Sequence, residues 1–239
     1  MGVLALNEVK YAYKSKHHTV KALDGVSFEF LPGKFYAVMG RSGSGKTTLL
    51  SVMAGLDVPD EGRVDFSGTD VKTTDRDRYR LEHVSVIYQG LNLFPLLSAI
   101  ENVAFPLEYR GVRKAEAFRT AEENLRSVGI ESDKFRRLPS TLSGGEQQRV
   151  AIARALAAKA EIILADEPTG NLDSENSLNI VQLLRDLAAA HNVCVVVVTH
   201  DPEVAERADV VLKISDGRLE KESSQNSDQY SILSDTQQS

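Results

Sequence analysis

Gly40-Arg41-Ser42-Gly43-Ser44-Gly45-Lys46-Thr47-Thr48 is the stretch whose reading decides the fold. It follows the spelling G-x-x-x-x-G-K-[ST], in which a glycine-rich loop turns its backbone N–H groups toward crowded phosphate charge. Gly40, Gly43 and Gly45 let the backbone come close to such a group. Lys46 adds a point charge suited to β- and γ-phosphates, and the Thr47 hydroxyl suits a Mg²⁺ position beside them. The flanks agree with the loop. Phe35-Tyr36-Ala37-Val38-Met39 reads as a buried strand. Residues 46–56 read as a helix whose N-terminus faces the phosphates. A plain glycine-rich turn has no reason to carry these flanks.

Length and composition set the frame around this loop. The chain has 239 residues, enough for one large or two small domains with a buried core. Its net charge of −6 points away from a nucleic-acid partner, which is usually met by a basic excess or stripe. No apolar run reaches the length of about 18 residues that a spanning helix needs. The first residues lack the charged and apolar regions of a signal peptide. Met1-Gly2 is followed by Leu6 where a myristoylation site wants Ser or Thr. The single cysteine, Cys194, lies in an apolar run and reads as a buried, inert thiol in a reducing compartment.

The remaining elements follow from periodicity. Residues 3–13 and 20–31 alternate as two strands around a polar turn. His17 and His18 have no acidic or cysteine company there and read as solvated loop rather than metal ligands. Strands at 63–66 and 84–88 bracket a charged surface helix over 75–80. Residues 98–128 read as largely helical, broken near Pro106 and Gly111, and Gly129 supplies a helix stop. A helix over 144–158 leads to a buried strand at 161–166. An amphipathic helix over 174–190 leads to 192–200, the most apolar strand, suited to a sheet centre covered on both faces. A short helix over 201–207 and a strand at 210–214 complete the order. Strand and helix alternate through the second half, so the core is a mostly parallel α/β sheet. From Ser223 the chain is polar and reads as a disordered tail.

Two further stretches carry chemistry. The apolar strand Ile162-Ile163-Leu164-Ala165 ends in Asp166-Glu167. Opposite a phosphate loop, Asp166 suits a Mg²⁺ position. Glu167, pointing the other way, suits the orientation and polarisation of an attacking water. Leu142-Ser143-Gly144-Gly145-Glu146-Gln147-Gln148-Arg149 brings a hydroxyl and flexible N–H groups to a helix N-terminus, which makes a second anion site. One chain thus has two phosphate sites and one nucleotide motif. A two-fold, head-to-tail dimer resolves this, each Ser143 loop capping the γ-phosphate held by the partner's Lys46 loop.

Taken together, Gly40–Thr48, Leu142–Arg149, Leu164–Pro168 and His200 resemble the ATP-binding subunit of an ABC transporter, over roughly residues 3–220. The resemblance implies a P-loop NTPase core of α/β class with a mostly parallel sheet. It also implies an N-terminal antiparallel β sub-domain and a helical sub-domain, about residues 90–158, carrying the signature motif. The ATP-binding domain would span 1–220 and the polar tail 221–239. Gln89 matches the family's glutamine loop, near Mg²⁺ and the attacking water. His200 matches the switch histidine at the γ-phosphate. Asp173, in Gly170-Asn171-Leu172-Asp173, matches the loop that communicates across the dimer, and Gly144 and Gly145 accompany Ser143 in the signature as ATP contacts. Tyr13 matches the aromatic that stacks on adenine. Strand alternation places Tyr11 and Tyr13 on one face and does not choose between them; spacing to the phosphate loop favours Tyr13.

The spellings Asp166–Asp173 and Glu101–Leu107 resemble bacterial exporter ATPases of the macrolide-export and lipoprotein-release type, shared with cell-division and antimicrobial-peptide-resistance ATPases. Thr47 stands where Ser is commoner, and Tyr88-Gln89-Gly90 departs from the usual Phe-Gln. The implied protein is an ATPase that dimerises around two Mg·ATP. It would drive a separate transmembrane permease from the cytoplasmic face of the plasma membrane, exporting or extracting a peptide, lipoprotein or drug. Leu91, Leu93, Phe94, Leu96 and Leu97 are divided in expectation between a permease-gripping surface and the sub-domain's own core. A regulatory ABC ATPase controlling cell-wall hydrolysis or sensing, without transport, is the alternative. Coiled-coil chromosome ATPases do not fit, because residues 49–141 lack sustained heptads. Translation factors of the family carry two heads where this chain has one.

Overall fold

A computed structural model describes residues 2–15, 18–170 and 172–222 of the chain. His17 and the polar tail from 223 lie outside them. Two antiparallel strands, β1 (Leu4–Lys14) and β2 (Thr19–Phe30), precede β3 (Phe35–Met39) and α1 (Lys46–Met53). Strands β4 (Glu61–Phe66) and β5 (Thr69–Asp70), helix α2 (Arg76–Glu82) and strand β6 (Val84–Ile87) come next. Three helices then run in succession: α3 (Ala99–Tyr109), α4 (Lys114–Ser127) and α5 (Gly144–Ala157). The chain closes with β7 (Ile162–Asp166), α6 (Ser174–His191), β8 (Cys194–Thr199), α7 (Pro202–Ala205), β9 (Val210–Ser215) and β10 (Arg218–Glu222).

The strands form two sheets. One has the order β2-β1-β4-β5 and is antiparallel throughout. The other has the order β10-β9-β3-β8-β7-β6 and is parallel except for its edge strand β10. Alternation within single strands feeds two separate cores. Val195 and Val197 of β8 face the core shared with α3–α6, while Cys194, Val196 and Val198 face α1 and the N-terminal sheet. β7 divides the same way, with Ile163 and Ala165 on one side and Ile162 and Leu164 on the other. Covered on both faces, these strands read as near-continuous apolar runs. Burial pushes the Cys194 thiol up to about 12, which leaves it a small apolar side chain rather than a nucleophile.

Three local outcomes differ from the periodicity reading. Pro106 does not break the helix: α3 runs through it, with Val103, Ala104 and Leu107 holding both sides of the proline in the core. The chain breaks only at Gly111. The charged segment 76–82 is not wholly a surface helix, since Tyr79 is buried and donates to the Met53 carbonyl at 2.9 Å. Beyond the expected last strand, β10 pairs with β9 as far as Glu222.

Asn102 is a fully buried polar hub in α3. Its Oδ1 accepts from Phe94 N at 2.8 Å, and its Nδ2 donates to the carbonyls of Phe94, Leu97 and Ser98. It fixes the loop that enters α3. Helix α5 begins in a reciprocal cap: Glu146 N donates to Ser143 Oγ and Ser143 N to Glu146 Oε2. Lys134 Nζ lies 3.0 Å from the same carboxylate. The Ser143 N–H and then Lys134 hold Glu146 below its ordinary value of 4.5.

Asn102→Ala is expected to cost about 3 kcal/mol of unfolding free energy, because it strands several buried partners at once. A urea titration measures this, and a loss under about 1 kcal/mol would show that water replaces the amide there. Glu146→Ala is expected to cost about 1 kcal/mol near neutral pH through the lost cap. Its lowered pKa makes this contribution present above 4.5 and lost as pH falls through the folded value. Parent and variant melting curves should therefore converge in acid.

Candidate active site

A parallel sheet sealed on both faces can expose polar groups only at its strand ends, and here the C-terminal ends of β3, β7 and β8 align. Met39 stands beside Thr199, and Asp166 beside Val198. Above them lies a cleft of about 720 Å³ whose walls include Tyr13, Arg41, Ser42, Gly43, Gly45, Lys46, Thr47, Thr48, Gln89, Asp166, Glu167 and His200. Residues from β1, the β3–α1 loop, the segment after β6 and the ends of β7 and β8 thus meet in one place.

The loop's shape follows from its glycines. Gly45 takes φ 107° at the N-cap of α1, and a Cβ there would stand 2.3 Å from the Ala22 carbonyl oxygen. Only glycine fits. Lys46 curls across the loop, its Nζ donating to the carbonyls of Gly40 at 2.8 Å and Arg41 at 3.0 Å. Ser44 Oγ is buried and makes no hydrogen bond among the described residues. Gly40 and Ser44 are not among the residues that line the cleft. A support that motif reading misses is the β9–β10 turn. Gly217 N donates to the Ser44 carbonyl at 3.2 Å, and Asp24 N donates to the Gly217 carbonyl at 2.9 Å. The Asp216-Gly217 pair was the available signal, as a two-residue hairpin turn.

Thr47 Oγ1 donates to Asp166 Oδ2 at 3.2 Å. Burial raises the Asp166 carboxyl above its ordinary range, with the Thr47 hydroxyl opposing that shift. A hydroxyl and a carboxylate converging beside a phosphate loop form the hard oxygen set that Mg²⁺ takes. Glu167 adopts φ 47°, a left-handed conformation for a non-glycine residue. Its N–H donates to the Val198 carbonyl at 3.0 Å, and its carboxylate meets His200 Nδ1 at 2.9 Å. The His200 side chain is itself largely exposed. Gln89 lies against the Glu167–Gly170 turn, its Nε2 at 3.3 Å from where a Gly170 Cβ would stand.

Of the two competing tyrosines, Tyr13 lines the cleft, is 51% exposed and hydrogen-bonds Thr48 Oγ1 through its hydroxyl at 3.1 Å. Tyr11 packs on the inner core and interacts with Asp57. The β1–β2 pairing slips at Ala22 of β2, and the Tyr11 and Tyr13 rings meet edge to face at 5.1 Å, so the two share a face and differ in how far along the strand they stand. Ser143, Gly144, Gly145 and Asp173 do not line this cleft. They occupy the N-termini of α5 and α6, which adjoin: Asn176 Oδ1 lies 3.3 Å from where a Gly145 Cβ would stand. Asp173 caps α6, accepting from Asn176 N at 2.9 Å, and that bond holds its pKa below the ordinary range.

The ABC transporter family pattern matches residues 23–170. The lipoprotein-releasing system ATP-binding protein LolD of Hahella chejuensis is 42% identical over 222 residues, covering 92% of this chain and 96% of its own. The ABC transporter ATP-binding protein YclH of Bacillus subtilis, itself uncharacterised, is 40% identical, covering 91% and 95%. The macrolide export ATP-binding/permease protein MacB of Marinobacter nauticus is 40% identical, and the match covers 91% of this chain but 34% of that protein. Among solved structures, the ATP-binding cassette MJ0796 in a dimeric post-hydrolysis state with ADP and Pi superposes with a TM-score of 0.83. It is 38% identical and covers 91% of this chain and 98% of its own. Cleft, two-sheet architecture and these likenesses agree, and the chain belongs to the ABC transporter family as one of its ATP-hydrolysing, ATP-binding cassettes.

Proposed function

We propose that two copies of this chain close head-to-tail on two Mg·ATP and that closure drives a separate membrane permease, in export or extraction of a peptide, lipoprotein or drug. One observation carries this reading: the chain holds half a site. Lys46, Asp166, Glu167 and His200 share the cleft, while Ser143 and its helix N-terminus lie outside it. A second copy is the simplest source of the missing donors. That the cassette MJ0796 is dimeric, in one structure with ADP and Pi bound, supports a dimer here. The names LolD and MacB support the cargo class.

In this mechanism Tyr13 stacks on the adenine. The loop amides of 40–48 and Lys46 neutralise the phosphates, and Ser143 with the Gly144 and Gly145 amides completes the γ-phosphate cage in trans. Thr47, Asp166 and Gln89 would hold Mg²⁺, which would supply charge neutralisation at the phosphate oxygens. Glu167 orients and deprotonates the water, and His200, hydrogen-bonded to Glu167, reaches the γ-phosphate side. Asp173 reports closure across the interface. The shared ligand stabilises the closed dimer, so hydrolysis releases it.

The permease is proposed to grip the groove between β6 and the helical layer. That groove, about 260 Å³, is lined by Arg80, Val86, Phe94, Phe105, Pro106 and Arg154, among others. Phe94, Phe105, Tyr109 and Leu96 leave large apolar surface exposed beside it, whereas Leu91 and Leu93 pack against the core. Such a rim of aromatics marks a docking surface. Among the described residues no helix is long and apolar enough to cross a membrane, so the proposed place at the cytoplasmic face depends on this contact.

Glu167→Gln is expected to bind ATP, to lose hydrolysis by about 100-fold or more, and to shift from monomer to dimer with Mg·ATP in light scattering. Hydrolysis at the parent rate would remove Glu167 as the base. Adding Ser143→Arg to that variant is expected to keep it monomeric while ATP binding persists. A dimer that survives the arginine would rule out the trans role of Ser143.

A further inference from the structure

The segment that follows Gln89 is held in an unfavourable shape. Leu91 and Asn92 have φ of 59° and 46°, two successive left-handed residues, neither of them glycine. A leucine there is strained by contact of its Cβ with its own backbone. Local bonds fold the turn: Leu91 N donates to the Tyr88 carbonyl at 2.8 Å and Asn92 N to the Gly90 carbonyl at 2.7 Å. The carbonyls of Leu91 and Asn92 then share one donor. Arg154, from the last turn of α5, takes both. Its Nη1 donates to the Asn92 carbonyl at 2.7 Å and its Nη2 to the Leu91 carbonyl at 2.9 Å. Burial lowers the Arg154 pKa, and the guanidinium donates to these two carbonyls. The planar fork of a guanidinium matches two adjacent oxygens, where a lysine would reach one.

We infer that Arg154 is a positioning residue for hydrolysis: it clamps Leu91 and Asn92 in their left-handed conformations and thereby sets Gln89 at the head of the same turn. The inference rests on the proposed role of Gln89 in the site. Residues held in sparsely populated backbone regions persist only where their surroundings over-determine them, and such positions gather at functional sites. Here the clamp is supplied by α5, the helix that begins at Ser143. Arg154 also lines the groove that holds Phe94 and Phe105. One side chain therefore touches the groove, the glutamine-bearing turn and the helix of the second phosphate site.

A double-mutant cycle in the full-length chain tests this. Steady-state ATP hydrolysis is measured for the parent, Gln89→Ala, Arg154→Lys, Arg154→Met and the combinations with Gln89→Ala. Nucleotide affinity and the denaturation midpoint are followed alongside. A shift of about 1 Å in a positioned group can cost on the order of 100-fold in rate. Arg154→Met is accordingly expected to lower kcat by about 10- to 100-fold with little change in KM for ATP, and Arg154→Lys by less. In the Gln89→Ala background both are expected to add almost nothing. Losses that multiply in that background overturn the inference while leaving the role of Gln89 intact. A Gln89→Ala protein with the parent rate overturns the reading of Gln89 and the inference with it. If Arg154→Met fails to fold, the Arg154→Lys arm decides by the same criterion, because it keeps the buried cation and one carbonyl bond.

Discussion

A parallel sheet sealed between two apolar cores is the constraint on which the rest of this structure depends. β8 is buried along its whole length, with alternate residues entering opposite cores. No polar side chain can be placed along such a strand without a large desolvation cost. Polar chemistry is therefore displaced to the ends. Because β3, β7 and β8 run the same way in matched register, their polar termini are delivered to one edge. The Gly40 loop, Asp166-Glu167 and His200 are far apart in the chain and meet for that reason.

At that edge the backbone is forced into shapes the core would not accept. Glu167 sits at φ 47° immediately after the regular strand β7. The reversal turns its carboxylate toward His200 while Asp166 faces Thr47. Two adjacent carboxylates are thereby given different partners and different surroundings. Gly45 does the equivalent for the phosphate loop, lying so near the Ala22 carbonyl that any Cβ would collide. Gly217 supports the far side of the same loop through Ser44. The loop is thus wedged between the N-terminal sheet and the β9–β10 turn, and its N–H groups are set in advance of any ligand.

The helical layer obeys a different economy. α5 is rich in alanine, and Ala151, Ala153, Ala155 and Ala157 are buried, so the helix lies close against its neighbours. Among its polar side chains, Glu146 sits in the cap and Arg154 on the strained turn. Asn102 does for residues 94–98 what Arg154 does for 91–92. Between them the whole connection from Gln89 to α3 is tied to two helices. The aromatic rim of Phe94 and Phe105 is therefore rigidly mounted rather than carried on a free loop.

Much of this was written in local sequence. The phosphate loop, the carboxylate pair, the Ser143 helix start and the parallel core were legible because each rests on short-range spelling or strict periodicity: glycine at fixed offsets, alternation in strands, a cap three residues ahead of its glutamate. Tertiary structure decided the rest. Tyr13 rather than Tyr11 reaches the cleft although their rings touch on one face, because Tyr11 is placed over the inner core beside Asp57, which no period of two can register. Pro106 stays inside α3 because packing on both sides outweighs the missing N–H. The clamp of Arg154 on residues 91–92 and the contact of Gly217 with Ser44 join positions more than 60 and 170 residues apart, judged from their numbers in the chain. Such contacts exist only once the sheet has closed, since a chain's local preferences carry no information about which distant carbonyl a buried side chain will meet.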